Sequence, residues 1–268
     1  MSSEKKIEFT KVNLDIYLKE VAKEYKKEIG KSMPAEMILI GGASVLVNYG
    51  FRNMTTDIDA VIRAPSVMKD VINRVGDRNS LPNGWLNQDF MRTESYSEKL
   101  IQYTQYYKTF YNILTVRTVA AEYLIAMKLR SGRQYKSDLS DVLGILAEHE
   151  KKGNPITMER IQKSVSDLYG NWNTLPESSQ NFIQNVMQDG HFAELYTQIM
   201  VGEKETKNLL IQFEQDYPGV ANATNIDSIA DNLQKKNDRA SVLAELRKKN
   251  DEQQDTVKKT KRKNEPER

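Results

Sequence analysis

Two aspartates one residue apart, Asp57-Ile58-Asp59, stand in the segment Thr56 to Arg63, where Asp57, Asp59 and Val61 alternate with Ile58, Ala60 and Ile62. On a strand that alternation turns both carboxylates to one face and sends Ile58 into a core. Two adjacent anionic oxygen groups suit Mg²⁺, which binds through one or two carboxylates and completes its shell with substrate phosphates. The same triplet also arises by chance on exposed strand edges. A second group precedes it: Gly41-Gly42-Ala43-Ser44 follows an apolar run, with Ser44 thirteen positions before Asp57. Glycines let backbone approach a ligand, a helix start offers free N–H groups and a positive dipole, and Ser44 adds a hydroxyl, a combination that suits phosphate. A tight turn with Ser44 as helix cap uses the same residues. The third group is Lys128-Leu129-Arg130-Ser131-Gly132-Arg133 followed by Lys136-Ser137-Asp138-Leu139-Ser140-Asp141. Lys128 and Arg133 could neutralise a triphosphate, and Asp138 could add a carboxylate near a metal or orient a nucleophile. Equally, Asp138 could cap the next helix above a solvated basic surface.

These residues need elements to hold them. Leu14, Tyr17, Val21, Tyr25 and Ile29 recur at helical spacing before Gly30, predicting an amphipathic helix that covers a sheet. Glu36 to Ile40 predicts a buried strand running into the glycine turn, and Ala43 to Asn48 a short helix. Thr56 to Arg63 is the acid-bearing strand, and Pro65 opens a helix over Ser66 to Val75. Gly76 to Gly84 is a loop by composition, Glu94 to Tyr106 is expected to be helical, and Tyr111 to Val116 is expected as a third strand. From Ala120 the texture changes to helix: Ala121 to Leu129, Leu139 to Glu148, then stretches near 156–168, 177–188, 190–214 and 225–249. The expectation is an α+β chain, with an α/β core over 1–118, a helical domain over 119–249 whose first part, 119–150, carries the third group, and a disordered basic tail over 250–268.

Composition narrows the chemistry. With 268 residues there is ample chain for a core without staples. No cysteine is present, which excludes disulfides and thiolate metal sites, and His149 and His191 leave little for zinc. Any metal is therefore expected to be held by oxygen. Net charge is +2, but it is unevenly laid out: +3 over 31–146, −6 over 147–255 and +4 over 256–268. The first six residues mix both charges and lead into no apolar stretch, unlike a signal peptide, so a cytoplasmic protein is expected. The most apolar run, Met37 to Val47, is far short of the roughly 20 residues of a spanning helix, so no membrane partner is expected. Tyr103, Tyr106, Tyr107 and Tyr111 around Lys108 could stack a base, or simply pack. Arg52 and Arg63 flank the acidic strand, and either could reach a substrate.

Read together, the three groups resemble the polymerase-beta-like nucleotidyltransferase superfamily, whose signature is a Gly-Gly or Gly-Ser turn followed by a strand carrying Asp-x-Asp. Ile38 to Ile62, "ILIGGASVLVNYGFRNMTTDIDAVI", with "GWLNQDF" from Gly84 and "EYLIAMKLRSGRQYKSDLSDVLGIL" from Glu122, looks like bacterial nucleotidyltransferases related to abortive-infection toxins. The resemblance covers about residues 10–150 and implies a mixed sheet flanked by helices and Mg²⁺-dependent nucleotidyl transfer from an NTP. The acceptor it implies is RNA such as tRNA, or a protein, and the toxin-like members suggest a cognate antitoxin as partner. Carried over, Gly41, Gly42 and Ser44 would hold the nucleotide phosphates, Asp57 and Asp59 would bind metal, Lys128 and Arg133 would contact phosphate, and Asp138 would stand for the later acidic residue of toxin-like members. Many superfamily enzymes bring a third carboxylate from another core strand. The candidate strand Tyr111 to Arg117 has none, so either Asp138 takes that place or a metal position is weakened. The alternative is a catalytically silent copy of the fold that binds RNA or a protein; nucleotidylation of a small molecule is a third possibility.

Overall fold

Ala35–Leu39 (β1) is apolar except for Glu36, and it becomes the central strand because both of its faces find hydrophobic cover. The computed structural model describes residues 7–222 and 225–236. Antiparallel to β1 runs β2 (Ile58–Arg63), and parallel to it runs β5 (Leu114–Val119). A short β3 (Leu86–Asn87) adds to β2, and β4 (Thr104–Phe110) pairs antiparallel with β5, giving a five-stranded mixed sheet in the order β3-β2-β1-β5-β4.

Alternation along the strands separates two cores. Met37, Leu39, Ile58, Ala60, Leu114 and Val116 face α1 (Lys11–Ile29) and α3 (Val67–Arg78). Ile38, Ile40, Val61 and Val119 face the other way, into a core shared with α4 (Ala121–Ser131), α5 (Asp138–Lys151), α6 (Met158–Tyr169) and α7 (Glu177–Asp189). Asp59, in phase with Val61, stands on this second face. α1 starts at a reciprocal cap in which Thr10 Oγ1 accepts from Asn13 N and Asn13 Oδ1 accepts from Thr10 N. Just before it, Phe9 and Thr55 exchange both backbone hydrogen bonds, at 2.7 and 2.9 Å, which ties the start of the chain to the loop that leads into Asp57.

Trp85 sits in the first core, 4 % exposed, stacked on Phe9 with its Nε1 donating to Ile72 O at 3.2 Å. Trp85→Ala is expected to destabilise the fold by about 3–5 kcal/mol, read as a lowered urea midpoint, because it empties a large buried volume and removes that hydrogen bond.

The chain divides into two compact units: residues up to Arg133 with Ser137–Met200, and Gln134–Lys136 with the residues from Val201 on. The division falls inside α8 (Phe192–Asp216). In the second unit a further helix covers 226–236, and Gln234 Nε2 donates to Thr206 Oγ1. No helix among the described residues is long and apolar enough to cross a membrane.

The α+β architecture matches expectation, with a mixed sheet, flanking helices and a helical second half. Three local expectations are corrected. The stretch expected as helix over Glu94 to Tyr106 is a 3₁₀ helix over Glu98–Tyr103 leading into β4, because Thr104, Tyr106, Tyr107, Thr109 and Phe110 fit a pleated surface better than a helix. Tyr111 and Asn112, expected in the third strand, form the hairpin turn at φ 51° and 54°, so that strand runs Leu114–Val119 instead. The loop expected from Gly76 begins later, since α3 continues to Arg78. The helix expected over 225–249 is present over 226–236; its remainder and the basic tail lie outside the described residues.

Candidate functional site

β1 delivers the chain directly to the acidic strand. Ile40 N donates to Asp59 O at 2.9 Å, so the turn that follows Ile40 starts beside Asp59. Gly41 then takes φ +53°, a left-handed conformation that costs an L side chain about 1–2 kcal/mol, and a Cβ there would lie 3.9 Å from Asp59 Oδ2. Gly42 is needed for space: its Cβ would lie 2.8 Å from Thr55 Oγ1 and 2.9 Å from Arg52 Nη2. The two glycines thus bring a carboxylate, a hydroxyl and a guanidinium to one short stretch of backbone, which opens α2 (Gly41–Asn48). Neither neighbour of Gly42 can yield freely, since Thr55 is fixed by Phe9 and Arg52 by Asp141. Gly42→Ala is therefore expected to destabilise by about 1–3 kcal/mol, measurable by chemical denaturation, and to lower any activity of the site more than Gly50→Ala, where a Cβ meets open space.

Asp57 lies exposed immediately before β2, and Asp59 lies half-buried within it. Thr55 Oγ1 is 3.2 Å from Asp57 O and 3.3 Å from Asp57 Oδ1, so the hydroxyl that packs on Gly42 also orients the first carboxylate. The donor set here is hard oxygen throughout, with no imidazole or thiolate. Among the described residues no group of three His, Cys, Asp or Glu side chains converges as a metal cage. Asp57 and Asp59 fit a small divalent cation that shares its remaining ligands with phosphate oxygens and water, as Mg²⁺ does.

The other expected residues lie deeper. Ser44 is fully buried, and its Oγ accepts from Val119 N at 3.2 Å, fastening α2 to β5. Lys128, at the buried side of α4, places Nζ 2.8 Å from Asp138 Oδ1 and 2.9 Å from Asp141 Oδ2. Arg133 Nε donates to Asp138 Oδ2 at 2.8 Å, and Arg52 Nη1 donates to both oxygens of Asp141 at 2.7 and 2.5 Å. Three cations and two carboxylates therefore form one network linking the loop before the acidic strand to α4 and α5. Burial disfavours the Asp138 anion, yet Lys128 and Arg133 outweigh it and hold the carboxyl well below its usual range. Burial likewise disfavours the Lys128 cation, and Asp138 and Asp141 more than offset this, so its pKa is raised. Asp138 neither caps α5 through its side chain, since Ser137 is the cap residue and makes no side-chain cap bond, nor joins Asp57 and Asp59 in a three-carboxylate group.

Thr55 was not singled out by the sequence reading, and Asp141, part of the third group, was given no role there. Thr55 packs on the glycine turn, Asp141 joins the buried network, and Arg52, noted only as a flanking cation, links the two. The spacing Arg52-x-x-Thr55-x-Asp57 carries that signal, as does Asp141, which follows Asp138 by three residues and so shares its helix face. The tyrosine cluster divides. Tyr103 stacks on Tyr123 at 3.9 Å, Tyr107 donates to Asp15, Tyr111 lies in the hairpin turn, and Tyr106 is exposed. Arg63 pairs with Glu36 at the far end of β2.

No curated protein and no solved structure matches the chain. A family model does match over residues 17–148, just under half of the chain. That segment contains the glycine turn, the acidic strand and all five members of the buried network. It is similar to the family described as nucleotidyltransferase of unknown function (DUF6036), which supports a nucleotidyltransferase family for the part of the chain that builds the site.

Proposed function

We propose that this protein is a Mg²⁺-dependent nucleotidyltransferase that moves a nucleotidyl group from an NTP to a hydroxyl or phosphate of an RNA such as tRNA, or of a protein. The observation that carries this reading is the convergence of Asp59, Thr55 and Arg52 on Gly41 and Gly42, which sets a carboxylate, a hydroxyl and a cation against one glycine turn at the start of a helix. In the proposed reaction an acceptor hydroxyl attacks the α-phosphorus, the bond to the β-phosphate oxygen breaks, and the products are the nucleotidylated acceptor, pyrophosphate and a proton. Bound to Asp57 and Asp59, the metal would supply charge stabilisation and a more acidic attacking hydroxyl. Thr55 orients Asp57, and the glycines let Thr55 and Arg52 close on the turn that would meet the phosphates. Ser44, Lys128 and Asp138 support this surface from behind, while Arg133 holds Asp138 in place.

Toxicity in a toxin–antitoxin or phage-defence setting, in the cytoplasm, is the biological role suggested by the resemblance to abortive-infection enzymes. The second reading, a silent fold that binds RNA or protein, is favoured by one observation: Lys128 and Asp138 are occupied with each other and with buried partners. Incubation with each α-labelled NTP, Mg²⁺ and total tRNA or cell lysate separates the two. Label on tRNA or protein that disappears with EDTA supports transfer, whereas no label on any acceptor with tRNA still retained on the protein supports the silent module. Induced expression is expected to arrest growth, and relief by a neighbouring gene product would identify the antitoxin.

A further inference from the structure

Among the three cations of the buried network, Arg52 is the one placed against the glycine turn. Lys128 is 8 % exposed and directs Nζ at two carboxylates. Arg133 grips Asp138 through Nε, with its Nη2 3.5 Å from the same carboxylate. Arg52 differs. Its Nε donates to Met54 O at 3.1 Å, and both Asp141 oxygens accept from Nη1, yet Nη2 has no acceptor among the described residues. That nitrogen lies 2.9 Å from the point a Gly42 Cβ would take, on a side chain that is four-fifths buried as a whole.

We propose that Arg52 binds the polyphosphate of the nucleotide through Nη2, and that Asp141 is the positioning residue that aims it. This rests on the nucleotidyl-transfer reading for its ligand, but on the geometry of Arg52 for its placement. A guanidinium is planar and always charged, so fixing Nε and Nη1 fixes the direction of Nη2 as well. The two anchors take up the donors that would otherwise turn toward water, and the remaining pair is left to a charge-assisted bond with an anionic oxygen. The absence of a side chain at Gly42 lets Nη2 come close to the backbone of the glycine turn, where any Cβ would push it away. Asp57 and Asp59 repel phosphate until a cation neutralises them, whereas Arg52 attracts it with or without metal. The phosphate-contacting work assigned by resemblance to Lys128 thus passes to Arg52, with Lys128 sharing Asp141 from behind.

The test measures binding rather than turnover. The full chain is titrated calorimetrically with inorganic tripolyphosphate in EDTA, and with ATP, GTP, CTP, UTP and the matching monophosphates in Mg²⁺. Arg52→Gln is expected to weaken tripolyphosphate binding by roughly tenfold to a hundredfold, the loss of one charge-assisted contact, and Arg52→Lys to fall between. Asp141→Asn is expected to weaken tripolyphosphate several-fold while changing monophosphate affinity little. A purely structural role would lower the melting temperature without altering that preference for longer phosphates. If Arg52→Gln fails to fold because Asp141 loses a partner, the double variant Arg52→Gln, Asp141→Asn removes both charges and serves instead. A folded variant that binds tripolyphosphate as tightly as the parent overturns the proposal, as does a parent that binds none. A parent that binds tripolyphosphate through Arg52 but labels no acceptor overturns the transfer reading and leaves the anion site standing.

Discussion

Changing both Asp57 and Asp59 to Asn is expected to reduce label transfer from NTP by roughly 10³-fold or more, the scale set by removing preorganised electrostatic stabilisation from a reacting centre. Stability should hardly move. Asp57 is exposed and Asp59 is only half-buried, so a change of about 1 kcal/mol or less is expected, well below that of a buried ion pair. Relief of repulsion between two neighbouring carboxylates could even raise the denaturation midpoint. The combination matters because loss of activity in an intact fold assigns the chemistry to the acid pair, while loss with unfolding assigns nothing. Each single variant should retain less than about a tenth of parental activity, and added Mn²⁺ should restore part of it in Asp57→Asn if the pair binds metal. Transfer by the double variant at the parental rate would remove the acid pair from the mechanism and leave the silent module as the better reading.

How far this site could be seen in the sequence depends on the range of the interaction. The placement of Asp59 and of the Gly41-Gly42 turn was legible because strand alternation and the needs of a tight turn are local, set within a few residues, whereas Asp57, expected on the same strand, lies just before it because β2 starts at Ile58. The strand limits were less so: β4 was missed because Thr104 to Phe110 follows a segment with helical spacing, and only its pairing with β5 settles it as a strand. Ser44 shows how a correct local reading misleads about role. It does sit in the first turn of a helix after a strand, but the hydroxyl turns inward to Val119, 75 residues away, a partner no local pattern reveals. Arg52 and Asp141 are 89 residues apart, and each looks like an ordinary surface charge until the fold buries them together. Lys128 and Asp138 stood out for their charges, and the structure assigns those charges to each other. Here residue type predicted that ions would be important, and only packing decided which of them pair with one another.

That packing makes the buried network the site of the largest expected stability effect, and the effect should be lopsided. Three cations, Arg52, Lys128 and Arg133, share two carboxylates, Asp138 and Asp141. Lys128→Met leaves one arginine for each carboxylate, a balanced pair of ion pairs in a more apolar setting, and is expected to cost about 1–2 kcal/mol or less. Asp138→Asn leaves Asp141, which pairs with Arg52 and Lys128, as the network's remaining carboxylate and takes from Arg133 the anion it grips, and should cost about 3–5 kcal/mol, the usual result of stranding a buried charge. The pH dependence carries a sign that identifies the mechanism. The Asp138 carboxyl is held below its unfolded value near 3.9, so its contribution is complete above about pH 4 and is lost as pH falls through the folded pKa. Lys128 is held above its unfolded value near 10.4, so its contribution is complete below about pH 10 and fades as pH rises through the folded pKa. Urea midpoints taken between pH 2 and 7 should therefore show the gap between parent and Asp138→Asn narrowing with acidification, because protonation does to the parent what the substitution has already done. Between pH 5 and 9 the gap should stay constant. A gap that is already small at pH 7, or one that is larger for Lys128→Met than for Asp138→Asn, would mean that Asp138 is not the shared anchor of Lys128 and Arg133, and that the α4–α5 joint is held by its apolar packing instead.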